Sequence, residues 1–121
     1  MPASLPAMTV LGSRLRQCRQ SKGWSQAQLG EKLGWGEANT AAPRISRYER
    51  GIHEADMETL QKLSDILEVP IPCFFTPSEN TSRIVTLVDS LSEAEKEHAL
   101  KMMEMWLYVK DVSVEQKARE Q

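Results

Sequence analysis

Two stretches of the chain decide the fold, Trp24-Ser-Gln-Ala-Gln-Leu-Gly30 and Arg44-Ile-Ser-Arg-Tyr-Glu-Arg-Gly51. In the first, Ser25 is a capable helix N-cap, and Gln28 three residues later completes a capping box. We therefore expect a short helix that ends at Gly34, because glycine accepts the left-handed conformation that follows many helices. The second stretch predicts another short helix, which stops at Gly51.

These two helices are predicted to pack closely, with one face of the second helix turned inward. Gly30 and Gly34 supply the small residues that a close approach requires. Ile45, Tyr48 and Ala42 are expected to face inward, which leaves a polar and cationic face outward. Two short helices joined by a glycine-containing turn form the helix-turn-helix arrangement of many DNA-binding proteins.

Further helices flank this pair. A helix is expected from Val10 to Lys22, and Asp56 is the predicted cap of a fourth helix. The apolar stripe of that fourth helix consists of Met57, Leu60, Leu63 and Leu67. A proline-broken stretch then predicts a short turn that buries Phe74 and Phe75. No stretch alternates apolar and polar residues as a half-buried strand would, so the fold class is all-α.

The C-terminal part predicts a separate helical element. We expect an N-terminal arm over 1–9, a helical domain over 10–76, a polar hinge over 77–82, a helical element over 83–110 and a frayed tail over 111–121. Ser92 and Glu95 form a second capping-box signature, which predicts a helix from about Glu93 to Tyr108. The sequence thus predicts one compact domain with a helical appendage.

The near-neutral net charge of -2 conceals an asymmetry. From Leu11 to Ile52 there are eight Lys or Arg residues and three Glu residues, a balance of +5. From His53 onward, seven Lys or Arg residues face fourteen Asp or Glu residues, a balance of -7. Such asymmetry favours contact between the basic half and a polyanion, although a solvated mixed surface is an equally open interpretation.

Composition and motifs argue against several classes of protein. No apolar run approaches the roughly 20 residues of a membrane-spanning helix, and the first ten residues lack the basic start of a secretory signal. His53 and His98 have no partners at metal-ligand spacing, and no glycine loop that would hold a phosphate is present. We therefore expect a cytoplasmic protein that is not an enzyme and needs no cofactor or metal. Cys18 and Cys73 are interpreted as small buried hydrophobes, with a redox switch left open.

Several motifs together resemble a known family. In order, they are Leu11-Gly-Ser-Arg-Leu-Arg-Gln-Cys-Arg19, Trp24-Ser-Gln-Ala-Gln-Leu-Gly30, Arg44-Ile-Ser-Arg-Tyr-Glu-Arg-Gly51 and the segment from Leu60 to Phe75. They are similar to the lambda-repressor-like, Cro-type (XRE-like) family of transcriptional regulators. The resemblance implies a five-helix DNA-binding domain over about half the chain, followed by the helical appendage.

The resemblance also implies roles for individual residues. Arg19 of the first helix and Glu49 of the third would pair across the core. The residues expected at base edges in the major groove are Arg44, Ser46 and Arg47. The residues expected at DNA phosphates are Ser25, Gln26 and Arg50. For any single arginine, a phosphate contact or an unbound surface position remains the alternative.

The chain departs from the family pattern before the third helix. Ten residues lie between Gly34 and Ile45, about five more than a compact turn uses, which predicts an enlarged approach to the recognition helix. Asn39 and Thr40 are candidate phosphate ligands there, and helix capping is the favoured alternative for both. Trp35 is interpreted as a packing residue and not as a wedge into DNA.

The acidic C-terminal helices are expected to make a homodimer, because one small domain makes too few base contacts for useful specificity. The candidate dimerisation residues are Leu87, Leu91, Met102, Met103, Trp106 and Leu107. Folding back onto the domain is the alternative for these helices. The sequence therefore predicts a sequence-specific, homodimeric regulator of double-stranded DNA, most simply a repressor. The competing functions are an antitoxin whose C-terminal helices bind a toxin, and a helical adaptor that never contacts DNA.

Overall fold

The computed structural model describes residues 9–120, apart from the side chains of Ala38 and Asn39. Within that range the secondary structure is entirely helical. The α-helices are α1 (Val10–Ser21), α2 (Gln26–Lys32), α3 (Ala38–Glu49), α4 (Met57–Leu67), α5 (Glu79–Asp89) and α6 (Glu93–Arg119). A 3₁₀ turn, Ile71–Phe75, follows α4. The chain divides into two compact units, with the division between Thr86 and Leu87.

Side-chain caps fix where several helices begin. The predicted capping box is confirmed, since Gln28 N donates to Ser25 Oγ at 3.0 Å and Ser25 N donates to Gln28 Oε1 at 2.7 Å. The Asp56 cap is confirmed as well, because Asp56 Oδ1 accepts a hydrogen bond from Thr59 N at 2.8 Å. These caps supply partners for first-turn amides that have none within the helix.

The start of α3 differs from the prediction. The helix begins at Ala38 after Glu37, so Thr40 lies inside its first turn, where its hydroxyl donates to the Glu37 carbonyl at 2.9 Å. The prediction that Asn39 or Thr40 caps the helix was therefore wrong. The extra residues before Ile45 lengthen the helix and do not enlarge the turn. Pro43 lies inside α3, where it is exposed and donates no backbone hydrogen bond.

The core of the first unit lies between α1, α2, α3, α4 and the 3₁₀ turn. Its fully buried large apolar residues are Leu15, Leu29, Ile45, Leu63, Leu67 and Phe74. Phe75, in contrast, is 55% exposed, because neighbouring residues of a 3₁₀ turn point in different directions and cannot both face the core. Met57 is also exposed, since it lies at the edge of the α4 stripe in the first turn. Ala41 is fully buried, whereas Ala42, which was expected to face inward, is half-buried.

Two segments that were expected to be irregular are helical. The predicted hinge 77–82 contains the start of α5 at Glu79, where Ser78 Oγ accepts a hydrogen bond from Thr81 N at 3.3 Å. The predicted frayed tail 111–121 continues α6 as far as Arg119. After Tyr108 the chain has no Gly or Pro, and its Glu, Gln, Lys, Ala and Arg residues favour a helix. No helix within residues 9–120 combines the length and apolar character needed to cross a membrane.

Candidate nucleic-acid interface

The interface is built on the close packing of α2 against α3. Gly30 of α2 lies directly against Ala41 of α3, so a Cβ added at Gly30 would overlap the Ala41 side chain and lie 3.2 Å from Ala41 Cα. The close approach predicted for Gly30 is therefore confirmed. The close approach predicted for Gly34 is not present, because a Cβ there would meet open space. Its positive φ of 75° confirms instead the prediction that the α2 segment ends at this glycine.

The inward face of α3 is held by a buried ionic network. Glu49 is 0% exposed and accepts hydrogen bonds from Arg19 Nε at 2.6 Å and Arg19 Nη2 at 3.0 Å. Arg16 Nε and Gln26 Nε2 also approach Glu49 Oε1, at 3.4 and 3.3 Å. Arg19 Nη1 donates to the Trp24 carbonyl at 2.8 Å, which ties the turn before α2 to the same cluster. The network fixes α3 relative to both α1 and α2.

The outward face of α3 consists of exposed residues. They recur at helical spacing and are Thr40, Pro43, Arg44, Arg47 and Arg50. Among the residues that the structure describes, the Arg47 guanidinium has no hydrogen-bond or ion-pair partner. Three cations thus project from a face opposite the buried Ala41, Ile45 and Glu49.

Two of the predicted base-contacting residues have partners within the protein. The Arg44 guanidinium carbon lies 3.7 Å from the centroid of the Trp35 ring, in a cation–π stack. Ser46 is half-buried, and its hydroxyl accepts a hydrogen bond from Arg50 Nε at 3.1 Å. Ser46 is therefore better placed to orient Arg50 than to contact a base itself.

Four of the predicted phosphate-contacting residues lie at the N-termini of α2 and α3, and the fifth, Arg50, follows the last residue of α3. The Ser25 hydroxyl is exposed and caps α2, and the Gln26 side chain turns inward toward Glu49. Thr40 is exposed in the first turn of α3. The expectation for the Asn39 side chain lies outside the described residues.

The basic half of the chain does not present all its cations on one face. Arg14 is 8% exposed, and its guanidinium donates to the carbonyls of Thr76 at 2.8 Å and Pro77 at 3.0 Å. Arg19 is buried with Glu49, and Lys22 pairs with Glu68 at 2.5 Å. The Lys22 ammonium lowers the pKa of the Glu68 carboxyl. Several of the cations that give this segment its positive balance therefore make contacts within the fold, whereas Arg44, Arg47 and Arg50 form the exposed cationic face of α3.

The cysteines are sequestered. Cys73 is 1% exposed, and its Sγ lies 3.5 Å from the Ser82 carbonyl oxygen and 3.5 Å from Thr86 Oγ1. Burial raises the pKa of the half-buried Cys18 thiol. The raised pKa keeps the Cys18 thiol in its less reactive protonated form, and burial removes Cys73 from solvent.

In the second unit, the candidate dimerisation residues are largely exposed. The exposed fractions are 68% for Leu87, 52% for Met102, 40% for Met103, 64% for Trp106 and 48% for Leu107, and Leu91 is half-buried. Further exposed apolar residues of α6 were not among the candidates, namely Leu100, Met105, Tyr108, Val109, Val112 and Val114. Met102, Met105, Val109 and Val112 recur at coiled-coil spacing, a pattern that a longer predicted helix would have included.

Known proteins share this architecture. The family described as helix-turn-helix matches residues 15–72. The chain is 41% identical over 59 residues to the HTH-type transcriptional regulator ImmR of Bacillus subtilis (strain 168), with 49% of this chain and 42% of ImmR covered. It is 27% identical over 103 residues to the cryptic phage CTXphi transcriptional repressor RstR of Vibrio cholerae, with 81% of this chain and 88% of RstR covered.

A solved structure agrees with these matches. The transcriptional regulator BswR is similar with a TM-score of 0.67 and 31% identity, over 81% of this chain and 96% of BswR. The chain spans about half the length of several curated relatives that it matches. The matched segment 15–72 contains the close α2–α3 contact, the Glu49 network and the outward cationic face. Its relatives are transcriptional regulators and not enzymes. The chain belongs to the helix-turn-helix family of Cro-type transcriptional regulators.

Proposed function

We propose that this protein binds a specific operator in double-stranded DNA as a homodimer, with the outward face of α3 in the major groove, and thereby represses transcription in the cytoplasm. The observation that carries the proposal is the contrast between the two faces of α3. One face is fixed by Ala41 and Glu49, and the other presents Arg44, Arg47 and Arg50 to solvent. A rigid helix with outward cations meets the requirements of major-groove recognition.

Base recognition is assigned to Arg47 and Arg44, because a guanidinium can donate two hydrogen bonds to O6 and N7 of a guanine. Both residues are exposed, and Arg44 carries the additional contact with Trp35. Ser46 contributes mainly through its hydrogen bond with Arg50, which is assigned to a phosphate.

Phosphate contacts are assigned to the start of α2 and the start of α3. Gln28 N of the first turn of α2 already donates to Ser25 Oγ, so the amides of Gln26 and Ala27 are the ones assigned to an anion, with Ser25 exposed beside them. Gln26 would contribute its backbone amide, because its side chain is directed to Glu49. Thr40 and Asn39 are assigned to phosphate contacts at the start of α3. The assignment of Asn39 rests on the sequence alone.

The homodimer is assigned to α6. Its apolar side chains include Met102, Met103, Trp106 and Leu107, all at least 40% exposed. Monomeric proteins rarely expose contiguous apolar patches above about a few hundred Å². A second copy would cover this surface and place a second recognition helix on the DNA.

Repression is the sign of regulation that the relatives favour, since RstR is described as a transcriptional repressor. A foreign protein, such as the basic toxin of an antitoxin pair, is the competing occupant of the α6 surface. Residues 87–120 carry five Lys or Arg and eight Asp or Glu, so this unit has a negative balance. Mass determination of the purified protein alone distinguishes the two, because only the homodimer doubles the mass without a second polypeptide.

Selection from a pool of randomised DNA duplexes tests the proposal. The protein should enrich a sequence with two related half-sites, because a symmetric dimer contacts DNA symmetrically. Enrichment of a single half-site would contradict the homodimer and leave base recognition standing. Recovery of a pool that remains random would contradict specific recognition altogether.

A further inference from the structure

Trp35 and Arg44 form a stacked pair beside the outward face of α3. The guanidinium carbon of Arg44 lies 3.7 Å from the centroid of the Trp35 ring, which is the separation of two planar groups in van der Waals contact. The pair arises from the extra residues before the recognition helix. Because these residues belong to α3, the helix begins at Ala38 and Arg44 lies on its second turn. Trp35 lies in the segment just before the helix.

The Trp35 ring is itself held in place. It is half-buried and packs against the hydrophobic core, and its centroid lies 5.9 Å from the Tyr48 ring at an interplanar angle of 48°. Tyr48 is only 9% exposed. An indole that packs against the core and a buried tyrosine, and that also contacts Arg44, provides a fixed surface for the guanidinium.

Such a surface changes the behaviour of an arginine. An arginine side chain loses rotamer entropy when it is ordered, and a solvated arginine bears that entropic cost when it binds. Stacking orders the guanidinium before DNA arrives and leaves its edge, with the N–H groups, available for hydrogen bonds. A side chain held in one orientation also discriminates more strongly among bases than one that can adapt to each of them.

We propose that Trp35 is a specificity-determining residue that positions Arg44 for a guanine in the operator. This inference rests on the proposed function, because it assumes that α3 contacts base edges. Trp35 need not touch DNA itself. Its effect on recognition passes through the Arg44 guanidinium, which donates to guanine O6 and N7 in the major groove.

A double-mutant cycle on DNA affinity tests the inference. The proteins are the parent, Trp35→Leu, Arg44→Ala and the double variant. The probes are the duplex enriched by selection, its versions with each G·C pair changed in turn, and a scrambled duplex. We expect Trp35→Leu to weaken binding to the enriched duplex about fivefold, a typical effect for one stacked cation, with much less change on scrambled DNA. In the Arg44→Ala background, Trp35→Leu should have no further effect, and both variants should lose discrimination at the same G·C pair.

Trp24 offers a matched control. It is also half-buried against the core and also carries a cation on its ring, with Lys32 Nζ 4.6 Å from the centroid, but it does not contact Arg44. Trp24→Leu should change binding to all duplexes equally. Trp35→Phe keeps an aromatic face and should retain most of the discrimination. Circular dichroism at the assay temperature identifies any variant that is unfolded, and in that case Trp35→Phe and Arg44→Ala carry the comparison.

The outcomes separate the inference from the proposed function. If the losses of DNA affinity from Trp35→Leu and Arg44→Ala simply add in the double variant, or if the two variants lose discrimination at different base pairs, the role of Trp35 is overturned. Specific DNA binding by the protein would still stand. Tighter binding by Trp35→Leu overturns it as well, because the stack would then withhold Arg44 from DNA. A parent protein that prefers no duplex overturns both.

Discussion

Glu49 of α3 and Arg19 of α1 form a buried ion pair with two hydrogen bonds, at 2.6 and 3.0 Å. Glu49 lies on the same helix as Arg47 but on the opposite face, and it has no exposed surface. The pair therefore couples the orientation of the proposed DNA-contacting face to the first helix of the domain. Its disruption should be felt in stability as well as in DNA binding.

Substitution of Glu49 by glutamine should lower the free energy of unfolding by about 3–5 kcal/mol, because it leaves the buried Arg19 guanidinium without a countercharge. Urea denaturation measures the effect. Glu58→Gln is the matched control, since Glu58 pairs with Lys62 at 3.5 Å on an exposed surface and should change stability by less than about 1 kcal/mol. Equal effects of the two substitutions would contradict a structural role for the buried pair.

Gly30→Ala should separate α2 from α3. The added methyl group would overlap Ala41, and neither helix backbone can move without disturbing the core, so a loss of roughly 1–3 kcal/mol is expected. Gly30→Ala combined with Ala41→Gly removes one of the two overlapping methyl groups and should recover part of that loss. Thermal unfolding of the three proteins gives the comparison. If the double variant is no more stable than Gly30→Ala alone, the Gly30–Ala41 contact is not what limits this position.

The cap of α4 should make stability depend on pH at acidic values. Hydrogen bonds with Thr59 lower the pKa of the Asp56 carboxyl from its ordinary value of 3.8. A group whose pKa is lower in the folded state contributes stability above its unfolded pKa, and that contribution is lost as the pH falls through the folded pKa.

Asp56→Asn tests this dependence, because asparagine retains an acceptor for Thr59 N but does not titrate. The parent should exceed the variant in Tm at about pH 6, and the difference should shrink as the pH falls below the ordinary aspartate value. Melting curves across this range measure the difference. If the Tm difference between the parent and Asp56→Asn stays constant with pH, ionisation of Asp56 does not contribute to stability.

Charged residues on the apolar surface of α6 should abolish the homodimer. Met102→Asp and Trp106→Asp each place a carboxylate where an apolar partner surface is expected, whereas Glu104→Gln alters an exposed charged position of the same helix. Light scattering after size exclusion should give a dimer mass for the parent and Glu104→Gln, and a monomer mass for the two aspartate variants. If all four proteins are dimers, the dimer interface lies on another surface.

Local signals in the sequence predicted much of the first unit. The Ser25–Gln28 capping box, the Asp56 cap and the Gly30 close approach each depend on residues near one another in the chain or on one small side chain. The all-helical fold follows from the same local patterns.

Features that depend on distant contacts were missed. Arg14 contributes to the positive balance of the sequence, yet its burial against Thr76 and Pro77 depends on a contact 62 and 63 residues away. The Trp35–Arg44 stack could not be predicted without knowing that the extra residues belong to α3. They were interpreted as an enlarged turn because Pro43 looked like a first-turn residue, whereas helix formation simply continues across it. The length of α6 was underestimated because a charged terminus can be either frayed or helical, and composition alone does not distinguish these states.

Substitution of Arg47 decides whether the outward face of α3 recognises specific bases. The measurement is the affinity of the parent and Arg47→Ala for the enriched duplex and a scrambled duplex, at about 50 and 200 mM salt. We expect the parent to prefer the enriched duplex at both salt concentrations, and Arg47→Ala to remove about 1–3 kcal/mol of that preference. Equal weakening on both duplexes, with a shallower salt dependence, would make Arg47 a phosphate contact and contradict base recognition by this face.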